Sequence, residues 1–194
     1  MIIGEGAEAK IYSVDVFGKP LLVKVREPKE YRIRELDISI RKSRTKREAR
    51  IMDALNRNNV PVPRIVAAGE FSIYMERLSG RLMKDSKHSA MTMKKVGRVL
   101  ASIHNIDIIH GDFTPANVML DGGDVMIIDF GLSDYSKDDE QKAFDVLLMK
   151  RSVSPAMYGI FRDEYVARCR KGGQILGRLA EIELRGRYQT RTLG

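Results

Sequence analysis

The chain has 194 residues, of which 43% are hydrophobic and 31% charged, enough for one domain of ordinary size or for two small lobes that share a cleft. It contains no run of about 18 apolar residues, no pattern of a secretory signal and a single cysteine, so we expect no membrane span, no internal disulfide, no cysteine zinc cluster and a cytoplasmic location. The formal net charge is +8. This charge is compatible with a polyanionic partner, such as a nucleotide or RNA, and equally with a solvated basic surface that binds nothing in particular.

The first part of the chain is predicted to consist mainly of strands. Apolar and polar side chains alternate as in half-buried strands, and glycine or proline residues mark the turns between them. The predicted strands span residues 11–16, 21–25, 65–68 and 71–76.

One helix is predicted within this part, at the end of the charged stretch 26–50. Ala49, Met52 and Leu55 have the spacing of one helical face. Thr45 and Glu48 match a capping box, which predicts that the helix begins near Thr45.

The second part of the chain is predicted to be mostly helical. One apolar helical face runs from Met93 to Ile103, two short strands are predicted near residues 118–120 and 125–128, and the chain from Asp139 onward is mainly helix. A hinge is expected near Glu76 to Gly80. The predicted division is therefore an N-terminal lobe (1–77), a C-terminal lobe (78–184) and a basic tail (185–194).

The motif with the strongest chemical meaning is His110-Gly111-Asp112-Phe113-Thr114-Pro115-Ala116-Asn117, followed by Asp129-Phe130-Gly131. Phosphoryl transfer needs a carboxylate that orients or deprotonates the nucleophile, and Asp112 is the candidate. Magnesium prefers hard oxygen ligands, which Asn117 and Asp129 can supply. The order and spacing fit the catalytic and magnesium loops of kinases. His110 is interpreted as a brace for this loop.

A buried ion pair is predicted in the N-terminal lobe. Lys24 lies inside an apolar strand, where an ammonium without anionic partners would be costly. Phosphates and Glu48 would supply those partners, and Glu35 is a weaker candidate. The alternative readings are an exposed lysine at position 24 and a capping or surface glutamate at position 48.

Two further segments are candidates for nucleotide contacts. Small residues in the N-terminal loop let backbone amides approach phosphate oxygens, and the segment 73–78 would be the hinge that pairs with the adenine edge. An ordinary edge strand remains the alternative for the hinge. The candidate residues are Gly4, Gly6, Ala7, Glu8 and Ala9 in the loop and Met75, Glu76 and Leu78 in the hinge.

In these motifs the chain resembles the protein-kinase superfamily over nearly its whole length. More narrowly, it resembles the small atypical kinase subunit of the KEOPS complex, the group that includes the p-fifty-three-related protein kinases. The narrower resemblance rests on Gly6-Ala7-Glu8-Ala9, on residues 45–50, on residues 110–117, on Lys142-Ala143-Phe144-Asp145 and on Arg185-Gly186-Arg187.

The resemblance implies an α+β, reduced bilobal protein-kinase-like fold, with a small N-terminal antiparallel sheet, one helix and a truncated, mostly helical C-terminal lobe. It also implies ATP and Mg²⁺ as cofactors, and a cytosolic ATPase with weak serine kinase activity. The implied partners are a larger metal-binding transferase, other KEOPS subunits and tRNA, on which the complex installs threonylcarbamoyl at adenosine.

The sequence departs from ordinary protein kinases in two places. His110-Gly111-Asp112 lacks the arginine that would pair with an activating phosphate, and no Ala-Pro-Glu follows residue 131. We therefore expect neither regulation by a phosphorylated activation loop nor a platform for a peptide substrate. Asp145 is expected to brace the catalytic loop through backbone contacts.

Other functions stay open. A stand-alone kinase of the ribosome-maturation type or a small-molecule phosphotransferase shares similar loops, and a nucleotide-binding scaffold is a third class. The basic tail is interpreted either as a disordered, solvated end or as a contact for tRNA phosphates and a base. The residues concerned in the tail are Arg185, Arg187, Tyr188 and Arg191.

Overall fold

The computed structural model describes residues 2–6, 8–87 and 89–191, with side chains described as far as Arg185. These residues form two compact units. The first unit comprises the chain up to Ser79 together with Ile128–Gly131, and the second comprises Gly80–Ile127 and the chain from Leu132 onward. The segment 128–131, which contains Asp129, is therefore grouped with the N-terminal part and not with its neighbours in sequence.

The first unit is built on a five-stranded antiparallel sheet with the order β1-β2-β3-β5-β4. Strand β3 lies at the centre of the sheet, so both of its backbone edges are hydrogen-bonded and its position is rigid. The four predicted strands are confirmed, and β1 is an additional strand that the sequence analysis missed. The strands are β1 Ile2–Glu5, β2 Lys10–Val16, β3 Lys19–Val25, β4 Ile65–Ala68 and β5 Ser72–Glu76.

Helix α1 of this unit spans Arg34–Arg57. Its predicted start at Thr45 is wrong, because Thr45 is fully buried in the middle of the helix and caps nothing. The buried residues of the helix ahead of Ile51 are Asp37, Thr45 and Glu48. Because these side chains are polar, apolar periodicity reveals only the second half of the helix.

The second unit contains four helices and two small sheets, ordered β6-β8-β9 and β10-β7. Ser89, Asp138 and Ser154 precede α2, α3 and α4, and each side chain accepts a backbone hydrogen bond from the first turn. The α+β class and the helical character of this part are confirmed. The elements are β6 Arg81–Leu82, α2 Ala90–Asn105, β7 Ile108–Ile109, β8 Val118–Asp121, β9 Asp124–Ile127, β10 Asp134–Tyr135, α3 Asp139–Ser152, α4 Pro155–Arg168 and α5 Gly172–Arg191.

Aromatic packing links the core of this unit to the loop that carries Asp112. Phe113 is fully buried, and its ring centroid lies 5.6 Å from that of His110 and 6.4 Å from that of Phe161 on α4. Phe161 in turn stacks on Tyr165 with the ring centroids 6.1 Å apart. These buried aromatic contacts therefore anchor the loop to the helical core.

Helix α5 passes through the predicted boundary between residues 184 and 185. Its backbone is helical as far as Arg191, so the interpretation of this part of the tail as disordered is wrong. Within the residues that the structure describes, none of the helices is long and apolar enough to cross a membrane.

Candidate functional site

The amine of Lys24 lies between two carboxylates of the first unit. Its Nζ donates to Oε1 of Glu48 at 2.7 Å and to Oδ1 of Asp129 at 2.7 Å. Lys24 is 8% exposed and Glu48 is 2% exposed, so this buried ammonium has the anionic partners that its position requires. Glu35 is exposed on α1. The predicted Lys24–Glu48 ion pair is confirmed, whereas its role toward phosphates stays a prediction.

Arg26 belongs to the same cluster, and the sequence analysis missed it. Its Nη2 donates to Oε2 of Glu48 at 2.6 Å, and its Nη1 donates to Oγ1 of Thr45 at 3.4 Å. Arg26 is 3% exposed. The signal was present, because Arg26 directly follows the end of β3 and is two residues from Lys24, so in extended backbone the two side chains point to the same face.

Asp129 has an unusual backbone conformation. Its φ of +62° is in the left-handed region, which aspartate tolerates better than most residues. The side chain is 56% exposed, and Oδ1 also accepts from the N–H of Gly131 at 3.2 Å. A side chain at Gly131 would lie 3.2 Å from this oxygen and 3.4 Å from Nζ of Lys24. Glycine therefore keeps the approach to the carboxylate open.

The predicted phosphate loop is partly strand. Gly4 and Glu5 end β1, and the N–H of Gly6 donates to the carbonyl of Ala9 at 2.9 Å, which closes a tight turn. Glu8 forms an ion pair with Arg44 of α1. Ala7 lies outside the described residues. The contact of this loop with phosphates stays a prediction.

The predicted hinge follows β5. The N–H of Glu76 donates to the carbonyl of Arg64 at 3.0 Å, and the Glu76 carboxylate accepts from the N–H of Arg64 at 2.9 Å. Because the Glu76 amide is occupied, only its carbonyl could serve an adenine edge, together with the amide of Leu78. Met75 and Leu78 are half-buried. Their contact with a nucleotide stays a prediction.

In the second unit, Asn117 holds Asp112 in place. Its Nδ2 donates to the backbone carbonyl of Asp112 and to Oδ2 of the Asp112 carboxylate, both at 2.8 Å. The loop is tightened by the N–H of Thr114, which donates to the carbonyl of Asp112 at 2.9 Å. His110 is fully buried, and its Nδ1 accepts a hydrogen bond from the N–H of Asp112 at 3.2 Å. The prediction that His110 braces the loop is confirmed.

Asp145 of α3 fixes the start of the same loop. Its carboxylate accepts from the N–H groups of His110 at 2.7 Å and of Gly111 at 2.8 Å, as the sequence predicted. Gly111 has a φ of +82°, and a Cβ there would lie 2.5 Å from the carbonyl of Leu132. Only glycine therefore fits at the middle position of His110-Gly111-Asp112.

A buried histidine that the sequence analysis missed supports Asp145. Nε2 of His104 lies 3.1 Å from Oδ2 of Asp145, and Nδ1 lies 2.7 Å from the hydroxyl of Tyr165. Because a carboxylate only accepts, Nε2 carries the proton and Nδ1 accepts from the hydroxyl. Burial lowers the pKa of His104, and the hydrogen bond to Asp145 only partly opposes this effect.

Asn117 and Asp129, the two predicted magnesium ligands, each carry oxygen atoms of the hard type that magnesium prefers. Among the described residues, no group of three or more His, Cys, Asp or Glu side chains could hold a metal ion. Both amide hydrogens of Asn117 are directed to Asp112, so Oδ1 is the atom left for a cation. In the first unit, the half-exposed carboxylate of Asp129 offers oxygen atoms of the same kind, and magnesium commonly takes several of its ligands from phosphate and water. Joint binding of a magnesium ion by Asn117 and Asp129 stays a prediction.

The candidate residues for tRNA contacts lie near the end of α5. Nη2 of Arg185 forms an ion pair with Oε1 of Glu140 on α3 at 2.8 Å, and the side chains are 60% and 36% exposed, respectively. The side chains of Arg187, Tyr188 and Arg191 lie outside the described residues. A contact with tRNA stays a prediction for all four.

The sheet, the strand lysine paired with the helix glutamate, and the loops at 110–117 and 129–131 define the class of protein-kinase-like folds. The family model described as the RIO domain matches residues 12–168. A probable serine/threonine-protein kinase BUD32 homolog of Archaeoglobus fulgidus is 37% identical, covering 97% of this chain and 96% of the relative. The KEOPS complex subunit Bud32 of Pyrococcus abyssi is 35% identical, covering 98% and 97%. The chain belongs to the RIO-domain family, and these two relatives of matching length carry the name Bud32.

Two other similarities have a narrower meaning. A probable bifunctional tRNA threonylcarbamoyladenosine biosynthesis protein of Methanobrevibacter smithii is 37% identical over 96% of this chain, but the chain spans only 36% of that relative. The crystal structure of the Rio2 kinase–ADP/Mg²⁺–phosphoaspartate complex from Chaetomium thermophilum has a TM-score of 0.68 at 18% identity, covering 96% of this chain and 70% of that one. At this identity the second similarity supports the fold alone.

Proposed function

We propose that this protein is an ATP- and magnesium-dependent atypical serine/threonine kinase and ATPase that acts as the kinase-like subunit of a KEOPS complex. In that role it would support the threonylcarbamoyladenosine modification of tRNA. The observation that carries the proposal is the buried ammonium of Lys24, which is held at 2.7 Å from both Glu48 and Asp129. The names of the Bud32 relatives support the assignment to KEOPS.

Each group of side chains has a proposed role. Lys24 binds phosphate oxygens and is oriented by Glu48, while Asn117 and Asp129 are the magnesium ligands. Magnesium, when bound with ATP, neutralises the charge that develops on the phosphate oxygens. Asp112 accepts the proton of the attacking hydroxyl or orients a water molecule. The loop with Gly4, Gly6, Ala7, Glu8 and Ala9 covers the phosphates, and Met75, Glu76 and Leu78 hold the adenine.

The phosphoryl acceptor is proposed to be water or a residue of a partner. The chain passes from Gly131 through the two-residue strand β10 directly to α3 at Asp139. This connection leaves no length for the segment on which kinases bind a peptide. The proposed partners are the larger metal-binding transferase, other KEOPS subunits and tRNA, in the cytoplasm.

The test is the rate of ATP hydrolysis by the full chain with magnesium, measured alone, with the partner transferase, and with the transferase and tRNA. We expect turnover to rise strongly when both are present, and Asp112→Asn to abolish the rise in the same mixture. Turnover that is high for the isolated chain and unchanged by the transferase and tRNA would contradict the KEOPS assignment and favour a stand-alone kinase.

A further inference from the structure

We propose that Arg26 is a positioning residue, which holds Glu48 in the orientation that pairs with Lys24 and keeps this pair assembled without an activating signal. The inference rests on the proposed function, because it assigns to Arg26 a part in the same site. It concerns only contacts within the first unit.

The geometry shows how Arg26 fixes Glu48. The two carboxylate oxygens are divided between two cations, with Oε1 at 2.7 Å from Lys24 and Oε2 at 2.6 Å from Nη2 of Arg26. Rotation of the carboxylate about its last side-chain bond would break both contacts. With Arg26 absent, Lys24 alone could follow such a rotation, because an ammonium has no preferred plane.

The guanidinium is itself fixed to α1. Nη1 lies 3.4 Å from Oγ1 of Thr45, and Thr45 is one helical turn before Glu48, so both lie on the same face of the helix. A planar guanidinium that reaches two groups one turn apart has one orientation. Thr45 is fully buried, which excludes water as a competitor for this contact.

The backbone of Arg26 is held on both sides. Its N–H donates to the carbonyl of Phe71 at 2.8 Å, and its carbonyl accepts from Nη1 of Arg41 at 3.2 Å. Arg41 is in turn bonded to Asp37 at 2.6 Å, and its guanidinium lies 4.0 Å from the centroid of the Phe71 ring. The backbone of Arg26 is therefore fixed as well as its guanidinium.

Stability alone gives no reason for the charged pair of Arg26 and Glu48. Nε of Arg26 is buried and has no hydrogen-bond partner, and a buried polar group without a partner destabilises a fold. Apolar side chains of similar volume in place of both Arg26 and Glu48 would remove this cost, and buried ion pairs are often no more stable than such replacements, whereas removal of Arg26 alone would leave Oε2 of Glu48 buried without its cation. The charge of Arg26 is better explained by what it does to Glu48.

The role proposed for Arg26 also agrees with the sequence of the loop around Asp112. In regulated kinases the lysine–glutamate pair must be brought into place, which is what activation-loop phosphorylation and movement of the glutamate helix control. Here His110-Gly111-Asp112 has no arginine to bind an activating phosphate. Arg26 would keep the pair formed at all times.

The first test measures the Lys24 ammonium directly and needs no turnover. Its ¹H–¹⁵N signal in the full chain is identified by its loss in Lys24→Met. We expect slow hydrogen exchange in the unmodified protein, exchange at least about tenfold faster in Arg26→Met, and partial recovery in Arg26→Lys, which keeps the charge but cannot reach Glu48 and Thr45 together. Unchanged exchange in Arg26→Met would overturn the proposal.

The second test separates positioning from a general loss of stability. Arg26→Met should lower kcat for ATP hydrolysis about tenfold, which corresponds to about 1.4 kcal/mol, and should cause no further loss in a Glu48→Gln background. An equal loss in both backgrounds would mean that Arg26 only supports the fold, and would overturn the proposal. Arg57→Met, at an exposed ion pair with Asp53 on the same helix, is the control and should change neither readout. If the unmodified protein does not hydrolyse ATP even with the transferase and tRNA, the proposed function fails while the exchange measurement still decides the role of Arg26.

Discussion

Asp112 is attached to its loop through the backbone as well as through its carboxylate. Asn117 contacts both the carbonyl and Oδ2 of Asp112, so Asp112→Asn should keep the loop in place and remove only the proton acceptor. We expect ATP turnover to fall by roughly 10²–10⁴-fold, as for a lost acid–base group, with ATP affinity nearly unchanged. Steady-state rates and a binding titration on one sample measure both quantities, and normal turnover would mean that the carboxylate has another role.

His104 should make stability depend on pH. Burial lowers its pKa in the folded protein below the ordinary value of 6.5, so the unfolded chain takes up a proton that the folded chain does not. Stability is therefore complete above about pH 6.5 and is lost as the pH falls below it, by at most about 1.4 kcal/mol per pH unit. His104→Gln, whose amide can donate to Asp145 and accept from Tyr165, should show a weaker loss.

The free energy of unfolding in urea at a series of pH values measures this effect. The difference between the two proteins is the informative quantity, because the other titratable groups are present in both. Parallel curves for the two proteins would contradict the role assigned to His104.

At the scale of single residues, a role could be predicted where the residue type is unusual for its surroundings. It could not be predicted where the residue type is ordinary for its position in the sequence. Lys24 was found because an ammonium in an apolar strand needs partners. Arg26 was missed because a second basic residue at the end of that strand also fits a solvated surface. His104 was missed because a histidine on a helix has no sequence pattern that identifies Asp145 as its partner.

Among the elements, the packing of α2 against α4 depends on one glycine. A Cβ at Gly97 would lie 2.5 Å from the backbone carbonyl of Phe161, so the two helices would have to move apart. We expect Gly97→Ala to destabilise the protein by about 1–3 kcal/mol, measured by urea unfolding. Gly159→Ala on the facing helix is the matched control, because a Cβ there meets nothing within 4 Å. It should stabilise by about 0.5–1 kcal/mol, and equal effects of the two substitutions would contradict the close approach.

Elements with apolar periodicity were predicted well, and elements with a polar buried face were not. The six predicted strands, which are β2 to β5, β8 and β9, and helix α2 were located within a few residues, because their buried positions are apolar. Helix α1 begins at Arg34, before any apolar pattern, because its buried residues ahead of Ile51 are polar and bond to charged side chains. Two of these polar residues, Thr45 and Glu48, also belong to the candidate site.

For the whole molecule, the kinase-like class could be predicted from the order of the motifs along the chain. The grouping of residues 128–131 with the N-terminal unit could not, because it depends on contacts between residues far apart in sequence. Lys24 and Asp129 illustrate this, since 105 residues separate two atoms that lie 2.7 Å apart.

The most direct test of the central claim asks whether Asn117 and Asp129 hold the metal of a bound nucleotide. Fe²⁺ in place of Mg²⁺, with ADP, ascorbate and peroxide, generates radicals that cut the backbone next to the metal, and mass spectrometry locates the cuts. We predict cuts near both Asn117 and Asp129 that require ADP and disappear in Asp129→Asn. Cuts that lie elsewhere, or that persist in Asp129→Asn, would contradict the account.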